Sequence, residues 1–338
     1  MITSKHPIIL GNAPSSGSTL LANVLGRSKS IYQRGELSAF DKPDWIDAPE
    51  EKVDKEFRIW LDKGYRRRIA CENRACFTNY DQYGLSKSEI SDLVRSGMSY
   101  VDIVRAFLDQ ARERDRKERW LEKTPANAFA LTRLARAIPD AFFIGITRDA
   151  RFVISSLIRR GFSPEIAVAR WYLSNLALLS ARDKINIELV RYEDFTRNPA
   201  ETLENLFAFL NEHFDASILS QTGQVSGTTK LETWSHGVND AISPSPEWDR
   251  SKALPPRVID AFKRMRPSEP FLRSIDLESA PEPIELQKLL GYSTSGLEEE
   301  VSVAIPKIGL LVPAYFRYSA SLARHRLSAR SIPFSFVS

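Results

Sequence analysis

The sequence predicts an α/β fold built on a mainly parallel sheet, and three observations predict it. An apolar run at residues 7–10 passes through a loop rich in Gly, Pro and Ser into an apolar-periodic stretch at residues 19–25. That order reads as strand, tight turn, helix. A second such unit begins near Trp120, and beyond it short apolar runs at residues 141–146 and 187–190 alternate with long helical patterns.

The elements follow in order along the chain. After the first unit, residues 45–118 are helical in pattern and highly charged, with Arg66-Arg67-Arg68 the densest basic spot, read as a solvated face or as a docking patch for an acidic acceptor. Trp120 and Leu121 lead into Lys123-Thr124-Pro125, where the proline suits the first turn of a helix running to about Ile138. Pro139-Asp140 is a turn, and residues 141–146 (AFFIGI) are a buried strand. Asp149 starts a helix that stops at Gly161, and Ser163-Pro164 opens another that runs to about Arg182. A short strand at residues 187–190 and a helix at 199–210 complete the alternation. Trp171 and Tyr172 read as core. The expected organisation is a main domain over residues 1–275, with a helical insertion at 45–118, and a C-terminal extension over 276–338.

Composition excludes more than it names. The 338 residues carry 47 Lys+Arg against 43 Asp+Glu, a net charge of +4, with 43% hydrophobic and 27% charged residues. That profile is near the globular average and argues against disorder, a collagen-like fibre or a membrane bundle. The small charge excess does not predict nucleic-acid binding but tolerates an anionic ligand. Cys71 and Cys76 are too few for a disulfide framework and match neither a redox pair nor a metal knuckle, so they read as reduced thiols. No cluster with metal-ligand spacing stands out. Without an apolar run long enough to span a bilayer, or a basic-then-apolar leader, the expected location is cytoplasmic. The acidic stretch closing at Glu298-Glu299-Glu300 gives way to 38 residues without an acid that include Lys307, Arg317, Arg324, Arg326 and Arg330. That tail reads either as an extension packed on its own domain or as a peripheral membrane or protein contact.

Two segments carry chemistry. Residues 11–21 (GNAPSSGSTLL) form a small-residue loop between strand and helix, where backbone N–H groups converge on phosphate oxygens. Ser16, Ser18 and Thr19 add hydroxyl donors, and Gly17 permits close approach. This is not the ATP/GTP loop G-x-x-x-x-G-K-S/T, because Ser18 stands where its lysine belongs. Residues 146–161 (ITRDARFVISSLIRRG) place Arg148 at a strand end, with Ser156 two helical turns on, followed by Arg159 and Arg160. An arginine at a strand end with a serine on the next helix suits a second phosphate group. Together the two segments suggest a ligand with two phosphate positions.

These segments, with Glu36 in RGELSAF, the Lys123-Thr124-Pro125 turn and the VRYEDF segment at residues 190–195, resemble the sulfotransferase superfamily. Its members use 3′-phosphoadenosine 5′-phosphosulfate (PAPS) as donor and release 3′-phosphoadenosine 5′-phosphate (PAP). Motif order and spacing are closest to the tyrosylprotein sulfotransferase-like branch and its bacterial relatives, over residues 7 to about 211. The resemblance implies a P-loop-like three-layer fold, a central parallel sheet flanked by helices. It implies that Ser15, Ser16, Gly17, Ser18 and Thr19 cradle the 5′-phosphosulfate, that Arg148 and Ser156 bind the 3′-phosphate with Arg160 in support, and that Tyr192 sits near the nucleotide. It implies Lys123 at the transferring sulfonate and Glu36 as general base, with no metal. Most relatives carry Arg or Lys where this chain has Ser15, so the expected cation beside the leaving phosphate is missing.

The implied function is transfer of a sulfonate from PAPS to a hydroxyl of a carbohydrate, lipid-linked or small-molecule acceptor, without a nucleic-acid partner. The rival readings are a P-loop nucleotide kinase or phosphotransferase, against which the absent lysine counts, and a non-catalytic PAPS- or PAP-binding sensor. In the region where relatives close a loop over the nucleotide, His236, Arg250 and Lys252 are further candidates.

Overall fold

The structure, a computed structural model, describes residues 6–40, 43–63, 80–220, 242–244, 254–298 and 334–336. Strand β1 (Ile8–Asn12) leads through the small-residue loop into helix α1 (Ser18–Gly26) and the short strand β2 (Ile31–Tyr32). Helices α2 (Glu50–Lys63), α3 (Lys87–Leu93) and α4 (Tyr100–Arg114) then intervene before β3 (Arg119–Lys123), as the charged helical insertion predicts. Helix α5 (Leu131–Ala137), strand β4 (Phe142–Thr147), helices α6 (Ala150–Arg159) and α7 (Pro164–Arg182) and strand β5 (Ile187–Arg191) follow. The chain continues through α8 (Tyr192–Arg197), α9 (Pro199–Phe209) and α10 (Ser217–Ser220). Beyond it lie α11 (Pro256–Arg264), β6 (Met265–Pro267), α12 (Glu269–Ser274), α13 (Pro283–Leu289) and β7 (Phe334–Phe336), with β6 and β7 antiparallel.

The main sheet has the order β2-β3-β1-β4-β5, and every pairing in it is parallel. This is the parallel α/β sheet the alternation predicts. Side-chain alternation sorts its two faces. Ile9, Tyr32, Trp120 and Phe143 face a core shared with the insertion helices, including Phe57 of α2 and Phe107 of α4. Ile8, Leu10, Ile31, Leu121, Ile144 and Ile146 face a second core that receives Leu21 and Leu25 of α1 and Leu206 and Phe207 of α9. A third core joins α6 and α7 to α11 and α13 around Trp171, Tyr172, Phe262 and Leu286. Trp171 and Tyr172 are fully buried, as expected of core residues.

The single helix expected from Pro125 to about Ile138 is instead a 3-10 segment, Pro125–Phe129, followed by α5. The Asn127 side chain causes the break. Its amide donates to the Leu10 carbonyl at 3.0 Å and to the Glu122 carboxylate, fastening this turn onto β1. Gly11 makes room for that contact, since a Cβ there would lie 2.5 Å from the Ala128 nitrogen. The helix expected between Asp149 and Gly161 is α6. The Asp149 carboxylate accepts from the Arg151 N–H at 2.9 Å, and Gly161 takes φ 88 beyond the helix end.

Candidate active site

In a parallel sheet all strands end on one side, and there the chain's chemistry collects. From β1 the chain leaves toward β2 on one flank; from β4 it leaves toward β5 on the other. In open parallel sheets the ligand crevice lies where such paths diverge, which here is outside the carboxyl ends of β1 and β4. The phosphate loop follows β1 and Arg148 follows β4, so both segments predicted to bind phosphate border the crevice.

The loop has an anion-receiving backbone. Ser15 (φ 70) and Gly17 (φ 89) take left-handed conformations, and the Ser16 N–H closes a turn onto the Ala13 carbonyl at 3.2 Å. Helix α1 starts without a side-chain cap and without an acid in its first turn, so its first N–H groups and positive end remain open to an anion. The Ser16 hydroxyl is fully buried and has no hydrogen-bond partner. Such a group is costly unless a ligand completes it. Gly17 is required here twice over. Its φ disfavours a side chain, and a Cβ would come within 2.2 Å of the Tyr192 ring.

Tyr192 in turn carries Arg148, whose guanidinium carbon lies 4.1 Å from that ring centroid and 5.4 Å from Phe152. Arg148 Nη1 donates to the Ser15 carbonyl at 3.2 Å, while its Nε is buried without a partner. The Trp171 indole N–H holds the Arg148 carbonyl at 3.0 Å. Arg160, just past α6, donates through Nη1 to the Ser15 hydroxyl at 3.1 Å. Ser156 lies half-buried on α6, one turn before Arg160, and its carbonyl accepts the Arg160 N–H at 3.2 Å.

The two residues predicted to be catalytic are in contact. Lys123, at the end of β3 and almost wholly buried, donates through Nζ to Glu36 Oε1 at 2.7 Å and to Thr19 Oγ1 at 3.2 Å. Its partner Glu36 keeps 42% of its side-chain surface exposed. One ammonium therefore joins the phosphate loop's helix to an accessible carboxylate. The segment bearing Glu36 is held on both sides. Tyr83 donates its hydroxyl to the Gly35 carbonyl at 3.3 Å, and the Ser38 N–H donates to Thr124 Oγ1 at 3.1 Å. The Thr124 hydroxyl in turn donates to Oε1 of the fully buried Glu122 at 2.6 Å.

Several supports of the site carry no sequence signal of their own. Trp171 reads simply as core, and Tyr83 lies in the insertion. Gln287 of α13 accepts from the Ala150 N–H and donates to Asp149 Oδ1, at 3.2 and 3.1 Å. The Tyr292 hydroxyl pairs with Thr147 Oγ1 at 3.0 Å. Glu193, after β5, accepts from the Asp149 N–H at 3.2 Å. Burial lifts its carboxyl above the ordinary range, although that N–H and Arg148 pull the other way. The candidates His236, Arg250 and Lys252, the Arg66-Arg67-Arg68 triplet, both cysteines and the basic tail's charges lie outside the described residues.

A sequence profile described as "Sulfotransferase family" matches residues 7–216, which contain the phosphate loop, Glu36, Lys123, Arg148, Ser156, Arg160 and Tyr192 but not Gln287 or Tyr292. The chain belongs to the sulfotransferase family. This sulfotransferase shares its fold with the "Sulfotransferase Domain from the Synechococcus PCC 7002 Olefin Synthase" at TM-score 0.52 and 20% identity, over 86% of this chain and 96% of that one. It is also similar to the "Sulfotransferase Domain from the Curacin Biosynthetic Pathway" at TM-score 0.50 and 18% identity, over 85% and 98%. At such identities the likeness is one of fold. A comparison with curated protein sequences gives no match. Among the described residues no helix is long and apolar enough to cross a membrane, and no three His, Cys, Asp or Glu side chains group as metal ligands.

Proposed function

We propose that this sulfotransferase moves a sulfonate from PAPS to a hydroxyl of a carbohydrate, lipid-linked or small-molecule acceptor. The observation that carries the reading is the Lys123 ammonium between Thr19 and Glu36. It sets a buried cation at the junction of a phosphate cradle and a carboxylate that an acceptor can reach.

The residues present suit such a donor. The unpartnered Ser16 hydroxyl, the open start of α1 and the neighbouring Ser18 and Thr19 fit the 5′-phosphosulfate. Arg148, with its buried free Nε, and Ser156 fit the 3′-phosphate, and Tyr192 offers an aromatic face beside them. The donor supplies a sulfonate whose bond to a phosphate oxygen breaks as the acceptor oxygen bonds to sulfur. Glu36 accepts the proton that the acceptor hydroxyl gives up. Lys123 neutralises charge growing on the oxygens nearest Thr19, and it needs no reorganisation because Glu36 and Thr19 already hold it.

The test is incubation with sulfur-labelled PAPS and a panel of hydroxyl acceptors. Transfer that disappears in Lys123→Met supports the reading. Tight PAP binding without transfer to any acceptor would make the protein a nucleotide sensor, and magnesium-dependent ATP turnover would make it a kinase.

A further inference from the structure

We propose that Arg160 supplies the phosphate loop with the positive charge its own sequence lacks, acting beside Ser15 on the 5′ end of the donor rather than on the 3′-phosphate. This rests on the donor being PAPS. Residues 11–21 contain no lysine or arginine. Charge grows on the 5′-phosphate as the sulfonate leaves, and a positioned cation stabilises that charge. Lys123 meets it from one side only, through Thr19 at the start of α1.

At the loop's other end two guanidinium groups converge on one residue. Arg148 takes the Ser15 carbonyl and Arg160 takes the Ser15 hydroxyl, at 3.2 and 3.1 Å. Their circumstances differ. Arg148 is set by Tyr192, Phe152 and Trp171 at the end of β4, and its Nε is buried without a partner. Arg160 is exposed, at the end of a helix whose negative pole favours a cation there. Its bond to Ser15 engages one of five N–H donors, so a second ligand on the loop side is accommodated without breaking the first. Ser15 takes φ 70, which turns its carbonyl and its hydroxyl to separate guanidinium partners. The serine here is neutral and anchors a charge borrowed from Arg160. The guanidinium lies 145 positions along the sequence from Ser15 and still reaches its hydroxyl.

The experiment compares adenosine 5′-monophosphate with adenosine 3′,5′-bisphosphate by calorimetry on the wild-type chain, Arg160→Ala and Arg148→Ala. It adds kcat and KM with PAPS wherever an acceptor is turned over. Arg160→Ala is expected to weaken both nucleotides by the same factor, about tenfold, the scale of one charge-assisted hydrogen bond. Arg148→Ala should weaken the bisphosphate selectively. Restoring charge at the loop, with Ser15→Arg or Ser15→Lys in the Arg160→Ala background, should recover most of the loss and raise kcat. A loss confined to the bisphosphate would make Arg160 a 3′-phosphate ligand and overturn the proposal. So would an unchanged affinity for both nucleotides, or no recovery in either double variant when both unfold at the temperature of Arg160→Ala. Failure of the donor reading shows separately, as a wild-type chain that binds the bisphosphate no better than the monophosphate. The monophosphate ratio between wild type and Arg160→Ala still decides the role of Arg160 in that case.

Discussion

Replacing Lys123 by methionine isolates the group on which the proposed chemistry depends. Methionine keeps an unbranched apolar stem of similar length, so the buried end of β3 stays filled and only the ammonium is lost. Two hydrogen bonds go with it, at 2.7 Å to Glu36 and 3.2 Å to Thr19. Glu36 is 42% exposed, so water takes over its lone pairs. The ground-state cost is therefore small, about 1 kcal/mol, which for a chain of this size moves the unfolding midpoint by about 2 °C. The transition-state cost is larger. A fixed donor aimed at developing charge is worth about 3–4 kcal/mol, or about 10²–10³ in kcat. The expected result, from single-turnover kinetics with labelled donor and from calorimetry with PAP, is a kcat lower by about 10²–10³ while PAP affinity changes by less than about tenfold. A rate within about threefold of wild type would refute the catalytic assignment. A rate loss matched by an equal loss of PAP affinity would reduce Lys123 to a binding residue.

Glu36→Gln removes the proposed base but keeps an acceptor for Lys123, so kcat should fall by about 10²–10⁴ with PAP affinity unchanged in calorimetry. Gly11→Ala drives a Cβ to 2.5 Å from backbone at Ala128, which has no rotamer to yield; chemical denaturation should show a loss of about 3 kcal/mol or more. Tyr292→Phe leaves the buried Thr147 hydroxyl without its partner at 3.0 Å and should cost about 1–2 kcal/mol in the same assay. Glu193 gives a pH signature. Its carboxyl is raised in the folded state, so the folded chain holds this proton more tightly than the unfolded one. The resulting stability is full below the ordinary value of 4.5 and is lost as pH rises through the raised one. Glu193→Gln should therefore show a smaller loss of stability than wild type between pH 4 and the neutral range, in unfolding curves taken across that interval.

The parallel sheet was legible because β1 and β4 are buried on both faces and so read as unbroken apolar runs, 8-IILGN and 142-FFIGIT. Strand β3 was harder to see. Its sequence, RWLEK, holds three charged residues, all buried, and each finds a partner distant in sequence or in a turn that forms later, Arg119 through Nη1 alone. Strand β2 spans two residues, too few for any periodicity. The break before α5 depends on Asn127 reaching Leu10 across the sheet, and helix propensity contains no trace of such a contact. At the site, Ser16 and Gly17 in the small-residue loop and Arg148 at a strand end were legible from the residues themselves, whereas Lys123 and Glu36 entered only through the family resemblance. Tyr83, Thr124, Trp171 and Gln287 were not, because each acts by hydrogen-bonding the backbone or the side chain of a residue far away in sequence.

Gln287 and Tyr292 bear on how the enzyme comes into being. Arg148 stands between Thr147, which Tyr292 holds, and Asp149, which Gln287 holds. The ribosome makes the strand end that carries Arg148 some 140 residues before it makes these clasps. A nascent chain that already contains every motif of the family match thus still lacks the parts that hold Arg148 and its strand end in place. The anchoring of Arg148 therefore arrives late in synthesis, with the emergence of α13 and the turn after it, and a chain stalled between residues 216 and 283 would carry every motif with Arg148 still unclasped.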